Sequence, residues 1–457
     1  MNPAPRLVRL PATGNTYCEF AQSHLRSPAP KGNPTWIQPQ HLAFILLSMV
    51  ATTPDRAYPR NQDLHARRRL LWATAGIIAY AVSVLLSQLP SLTEWLYGET
   101  LGPWIAWLLS RATGWIPLAL GELVVLALIL RQLVGGTFAV IDVLRSQRQW
   151  TNALAGGTLR LGQDVGVLVT LFYVLWGFNY SRAELDQRLG WSTPISIEAV
   201  ELTDLANQLV TAANESYREI HGTDDAGEPT QLPANRAPVE DAITAGWLRA
   251  RRQLDLPALT VSYGRAKTPL LTPWYELVGV AGFYFPFTGE ANLRAGIPAV
   301  DQPKMLAHEE AHQRGVARED EANFWGYLSA VHAPNAYARY SAFVFAQQQL
   351  MAALARVDRN QWLAFAEQRL PGVQRDIDES REYWRRFRGR GTRIGTRVND
   401  AFLRTNRVAG GIHSYSRSAL LLISYARAHD GQLVPAGGTS AGGNEPLSQP
   451  VGLDRGR

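Results

Sequence analysis

Three long apolar stretches between residues 69 and 180 constrain this chain more than any other feature. Backbone amides cannot stay unpaired in hydrocarbon, so an apolar run of about 20 residues is committed to a helix that crosses a bilayer. Residues 70–89 (LLWATAGIIAYAVSVLLSQL) carry no charge and follow Arg67, Arg68 and Arg69. At a rise of about 1.5 Å per residue they span the hydrocarbon core. Residues 115–130 (WIPLALGELVVLALIL) give the second expected span. Pro117 and Gly121 are tolerable there, and Glu122 reads as an interfacial carboxylate that snorkels or is protonated. The third covers about 161–180 (LGQDVGVLVTLFYVLWGFNY), with Asp164 at its start and Trp176 and Tyr180 suited to a membrane–water boundary. Residues 101–110, with Trp104 and Trp107, read as an interfacial or re-entrant piece.

Orientation follows from the arginines. Arg56, Arg60 and Arg67–Arg69 precede the first span, and Arg131, Arg145, Arg148 and Arg160 fall between the second and third. Only Arg111, beside Glu94 and Glu99, falls between the first and second. The positive flanks mark the cytoplasmic side, so everything after Tyr180 is expected outside the cytoplasm. The net charge of +6 is carried mostly by scattered arginines, with no aromatic-interleaved basic block. That pattern argues against a nucleic-acid footprint. Cys18 is the single cysteine, which excludes an intrachain disulfide and a Cys-ligated structural zinc.

The remaining chain divides by composition. Residues 1–66 are rich in Pro, Asn, Gln and Arg and read as a disordered cytoplasmic leader, with Met49 as an alternative start. Residues 67–180 form a three-helix transmembrane anchor. Residues 181–430 are soluble in character and mostly helical: apolar residues near 3.6 spacing predict helices at 197–220 and 239–254, and others follow at 304–314, 319–333, 336–356, 376–390 and 412–428. Strands are expected at 259–263 and 278–285, bounded by Pro and Gly. The Gly-, Pro- and Ser-rich stretch 431–457 reads as a disordered tail.

The chemistry concentrates in residues 304–327, KMLAHEEAHQRGVAREDEANFWGY. His308 and His312 are four apart, which on a helix puts both imidazoles on one face where one metal ion can bridge them. Glu309 follows the first histidine and can take a proton from water that the metal has acidified. The bland alternative is a solvated helix with two incidental histidines. Met305, Leu306, Ala307 and Ala311 weigh against it, because they give the helix an apolar component. Gly315 can end that helix. A third ligand is then sought among Glu319 and Glu321 on the next one, where a one-residue shift in helix start swaps the two. Glu319 is favoured: Asn323, one turn on, can then hydrogen-bond a ligand imidazole, while Glu321 has the ordinary role of an acidic residue in a first helical turn. Glu310 is expected to face away.

The two-helix arrangement resembles the gluzincin proteases, integral-membrane prenyl-protein proteases among them, where His-Glu-x-x-His is joined by a distal Glu in Glu-x-x-x-Asp. Glu319 and Asn323 fit with Asn for Asp, but the distal Glu is much closer in sequence here, so this resemblance covers the motif only. Gly315 is also similar to the glycine after the metzincin motif, yet Arg318 stands where a third His belongs. From about 70 to 428 the chain looks like a family of bacterial membrane proteins known as a domain of unknown function. Three spans carry that resemblance, with Trp176–Tyr180 (WGFNY), GFYFPF at 282–287, Glu290-Ala291-Asn292, and HEEAHQRG through EDEANF. It implies a membrane zinc protease without a known substrate.

Two further segments bear on the site. Residues 279–287 can pair as a strand edge with an extended substrate or be plain core strand. In GGIHSYSR (410–417), His413, Tyr415 and Arg417 are candidates for stabilising an oxyanion, and the resemblance points to Tyr415. His332 reads as structural.

The expectation is a mainly α protein: three transmembrane helices, then a mostly helical zincin-like metalloprotease domain with a small β-sheet. Zn2+ is held by His308, His312 and Glu319. Glu309 is the general base acting on a peptide or envelope-protein substrate, and the lipid bilayer is the other partner. The alternatives are a non-catalytic zinc-containing binding or assembly protein, and a zinc hydrolase of non-peptide envelope amides. Four protein ligands, for instance with Asp320 or Glu321 added, favour a structural site.

Overall fold

The computed structural model describes residues 59–435, apart from 148, 193–197, 258–262, 388, 409–410 and 412–416. Three long helices come first: α1 (Pro59–Ser87), then, after α2 (Pro90–Thr93), a π-helical stretch Glu94–Leu101 and α3 (Gly102–Thr113), α4 (Leu120–Leu144) and α5 (Trp150–Leu175). Residues 64–87, 120–144 and 150–175 are long and apolar enough to cross a membrane, which makes this a membrane protein. A 3-10 turn, Gly177–Ser181, leads into α6 (Leu185–Arg188), α7 (Ala199–His221), α8 (Ala237–Gln253) and α9 (Thr272–Val278). Next come the antiparallel strands β1 (Gly282–Phe285) and β2 (Glu290–Leu293), paired Gly282 to Leu293 and Phe285 to Glu290. Then follow α10 (Gln302–Gln313), α11 (Glu319–Val331), α12 (Ala336–Val357), α13 (Arg359–Glu367), α14 (Pro371–Arg386), α15 (Arg390–Thr405) and α16 (Ser418–Ala428). The expected mainly α architecture therefore holds: three long apolar helices, then a helical domain with a small two-stranded sheet.

Several boundaries move for identifiable reasons. The second span runs on to Leu144, so Arg131 lies inside a helix and not in a loop. It is tolerated because Asp164 of α5 accepts from both Arg131 and Gln132. The strand expected from 278 starts only at Gly282, because 272–278 is helical. The Glu290–Asn292 stretch supplies the second strand, and most of the strand expected at 259–263 lies outside the described residues. Helix α14 stops at Arg386, and α15 is a separate helix that the apolar spacing did not announce.

Packing inside the membrane uses small residues. A Cβ on Gly76 of α1 would stand 2.7 Å from the Cα of Gly166 on α5, and one on Gly166 would stand 2.1 Å from the Trp72 carbonyl. The two glycines let the backbones touch, which drives association where lipid offers no hydrophobic gain. Outside the spans, α11 is the central helix, buried at every position from Asp320 to Val331. Phe324, Trp325, Tyr327 and Leu328 fill the core around it with Leu209 and Tyr217 of α7 and Phe343 and Leu350 of α12. Each such side chain contributes about 1.5–3 kcal/mol through burial.

The spans and the helical domain interlock. The Glu290 carboxylate accepts from the first-turn amides of α4, Leu120 N at 3.2 Å and Gly121 N at 3.0 Å, and also from Lys267 and Thr288. In return, Glu122 of α4 accepts from Leu271 N at 2.9 Å and Leu270 N at 2.7 Å. Glu122 is only 3% exposed, so it is no interfacial snorkeller: its two backbone donors compensate for burial. Ser110 of α3 accepts from Gln313, and Lys267 donates to the Thr113 carbonyl.

Candidate metal centre

Helix α10 carries the motif, and the loop after it completes the geometry. His308 and His312 project from one face, their Nε2 atoms 3.1 Å apart. Gly315 has φ +88°, a left-handed conformation that glycine adopts without steric cost, and it turns the chain back toward α11. The Val316 carbonyl in that turn lies 2.6 Å from His312 Nδ1. An Nδ1–H donated there leaves Nε2 as the free lone pair. Glu319, first residue of α11, brings Oε2 to 3.3 Å from His308 Nε2 and 3.5 Å from His312 Nε2. The helices can approach this closely because Gly326 stands where a Cβ would be 3.1 Å from the Lys304 carbonyl and 3.2 Å from His308 N.

The three donor atoms thus form a triangle with sides of 3.1, 3.3 and 3.5 Å. One face of a tetrahedron around an ion with bonds of about 2.0–2.1 Å has edges of about 3.3–3.4 Å. Two imidazoles and a carboxylate at these separations fit a zinc-sized cation. Among the described residues no fourth imidazole, thiol or carboxylate joins them.

Electrostatics at the triad follow from its burial. Burial pushes His308 down to about 4. It opposes the charge on His312 as well, but Glu319, Glu309 and the Val316 carbonyl outweigh it and raise that ring to about 9. Burial works against the Glu319 anion too, yet the two histidines hold it well below the usual carboxylate range. Glu309 is pushed up to about 8, chiefly by burial. Its Oε2 has no hydrogen-bond partner, and Oε1 lies so near β1 that a Cβ on Gly282 would be 2.6 Å away.

Other residues fall where their own partners hold them. Glu321 accepts from Leu185 N and pairs with Arg188, so it is turned away from the triad. Asp320 faces Arg318 and Arg417, and Glu310 pairs with Arg314. Asn323 does not support a histidine: its Oδ1 accepts from Lys304 Nζ at 2.5 Å, because Lys304 lies one turn before His308 and reaches across to α11. His308 Nδ1 is left unpartnered. Arg417 is engaged by Glu184 and Asp320. His413 and Tyr415 lie outside the described residues.

The spacing of the motif gave no hint of the aromatic wall. Trp176 donates Nε1–H to the His312 carbonyl at 3.0 Å, and its ring packs against Tyr180 and Tyr284. Tyr180 is buried close enough to Glu319 that both burial and that carboxylate raise its hydroxyl. The residues assigned to a membrane–water boundary therefore back the His308–His312–Glu319 triad. Their signal was the WGFNY run itself, aromatic and amide-rich just past the third span.

A family model described as a protein of unknown function (DUF3810) matches residues 97–423. No curated protein and no solved structure matches the chain.

Proposed function

The chain belongs to the DUF3810 family of proteins of unknown function, and on that premise we propose that it is a membrane-anchored zinc metallopeptidase. The observation that carries the reading is the triangle of His308 Nε2, His312 Nε2 and Glu319 Oε2, with Glu309 beside it and free of any salt bridge or hydrogen bond at Oε2. A structural site closes with four protein ligands, whereas a hydrolytic one keeps a position open. Asp320 and Glu321, the nearest carboxylates in sequence, are both engaged by arginines, which supports the hydrolytic reading over the binding-protein one.

When bound, zinc supplies Lewis acidity at a peptide carbonyl and at water. His308 and, once it has given up its Nε2 proton, His312 would hold the ion through neutral Nε2 lone pairs, the second fixed by its Nδ1–H to the Val316 carbonyl. Glu319 contributes the balancing negative charge. Glu309 takes the proton from the attacking water at its carboxylate and passes it to the leaving amine. Gly282 keeps β1 tight against Glu309. Strand β1 is paired only by β2 among the described residues, and its other edge suits an extended polypeptide. The arginine bias around the spans supports a helical domain outside the cytoplasm, and with that orientation the substrate class is a peptide or an envelope protein.

The test uses the full chain purified in detergent beside Glu309→Gln. One zinc in both, with cleavage of a broad peptide library by the parent alone, is the expected result. One zinc in both with hydrolysis in neither favours a zinc-containing assembly protein. Absence of zinc from both removes the reading.

A further inference from the structure

We propose that α9 and α15 form an in-plane platform seated in the interface of the lipid bilayer, a membrane contact beyond the three spans. The two helices meet through bare glycine. Cβ atoms on Gly391 and Gly395 of α15 would stand 2.3 Å from the Leu277 carbonyl and 2.4 Å from the Val278 carbonyl at the end of α9. That close pairing leaves apolar side chains on the outside. Val398 is 65% exposed, Ile394 60%, Trp274 59% and Leu277 58%, against 62% for Leu130 in the second span. Ile394, Val398 and Phe402 are each four apart, so they form one stripe along α15.

What covers this stripe follows from where the platform is tied. The residues just before α9 donate Leu270 N and Leu271 N to Glu122, in the first turn of the second span. At the far end of α15, the Phe402 ring packs 5.8 Å from Phe172, in the last turn of the third span. Arg407, two residues past the helix, donates to the Ser83 carbonyl and hydroxyl in the last turns of the first span. The start of span two and the ends of spans one and three lie on the same side of a bilayer. All three hold this one platform. Helix α15 is about 24 Å long and is secured toward both ends at that level, so it runs along the membrane surface.

The charges agree with that seat. Arg393, Arg397 and Arg404 are exposed and lie about 100–140° round α15 from Val398, on one flank. An apolar stripe with an arginine flank buries the first among acyl chains and sets the second among phosphate headgroups, and a tryptophan such as Trp274 suits the same depth.

The full chain carries one cysteine, so a Cys18→Ser background accepts single reporter sites. An environment-sensitive fluorophore is placed at Val398→Cys and at Leu277→Cys. Leu130→Cys serves as the lipid-facing control and Glu228→Cys, in an exposed loop, as the aqueous one. Each variant is reconstituted into phosphatidylcholine–phosphatidylglycerol vesicles. Positions 398 and 277 are expected to be quenched by lipid-borne nitroxide as position 130 is, and to be shielded from iodide several-fold relative to position 228. Free access of iodide to 398 and 277 would overturn the proposal. So would shielding from both quenchers, since protein and not lipid would then cover the stripe.

Discussion

In the proposed hydrolytic function Glu309 is the side chain on which the chemistry turns, and its neighbours define how to probe it. The Glu309→Gln exchange keeps size and leaves the three ligands alone, so metal content is expected to stay at the parental level. Hydrolysis should fall about 10²- to 10⁴-fold, the usual contribution of a positioned base. Gly282→Ala tests position and not charge: its methyl would lie 2.6 Å from Glu309 Oε1 and displace it. A loss on the order of 10² in kcat with unchanged metal content is expected, because displacements of about 1 Å cost that much. Protonation adds a third check. In the metal-free protein His312 holds a proton up to about pH 9, whereas ligation needs the neutral ring. Zinc binding at pH 7.5 is therefore expected to release a proton, and affinity to climb with pH until about 9, by at most about tenfold per unit. Calorimetry in buffers of different ionisation enthalpy reads the proton directly, and an unchanged enthalpy across buffers would refute it. At this scale the sequence was informative where spacing alone decides geometry: four residues on a helix bring His308 and His312 together, and the tight turn at Gly315 delivers Glu319. It misassigned Asn323 to a ligand imidazole, because the reach of Lys304 across two helices is a tertiary fact.

Among the elements, the β1–β2 hairpin does two jobs with one short sheet. Its outer strand runs past Glu309, and Glu290 on its inner strand accepts the first amides of α4. Glu290 is 2% exposed and paired with the buried Lys267, so Glu290→Ala strands a cation without its partner. The expected cost is about 3–5 kcal/mol, seen as a lowered unfolding temperature in detergent. Lys267→Met added to it should recover part of the loss; equal stability of the single variant and parent would refute the account. The spans themselves were legible from composition, but their limits were not. Residue counting placed Arg131 in a loop, and only the Asp164 partner on α5 explains why α4 continues past it. Helix α15 was missed for a related reason. Its apolar side chains sit on its outer face and its inner face is glycine, the reverse of the pattern that marks a core helix.

For the whole molecule, the division at residue 180 that composition suggests is not a physical seam. Ser110, Thr113, Leu120, Gly121 and Glu122 are bonded to the chain beyond 263, and Trp176 to the motif helix. A fragment of residues 181–435 would leave Glu290, Lys267 and Gln313 without those partners, buried or newly wetted. It is expected to be recovered as aggregate while the full chain remains monodisperse in the same detergent. A soluble, zinc-loaded fragment would disprove the dependence.

The hook between Glu290 and the start of α4 has a spatial consequence. An enzyme on a flexible stalk sweeps a volume set by the length of its tether, and a single cut through that tether sets it free. Here the hairpin beside Glu309 is bonded to the membrane helix itself, with no slack between them. The triad can neither lean outward to meet a distant target nor be released by clipping. Under the proposed hydrolytic function a target has to be delivered to the triad, and lateral diffusion in the plane of the membrane becomes the means of search.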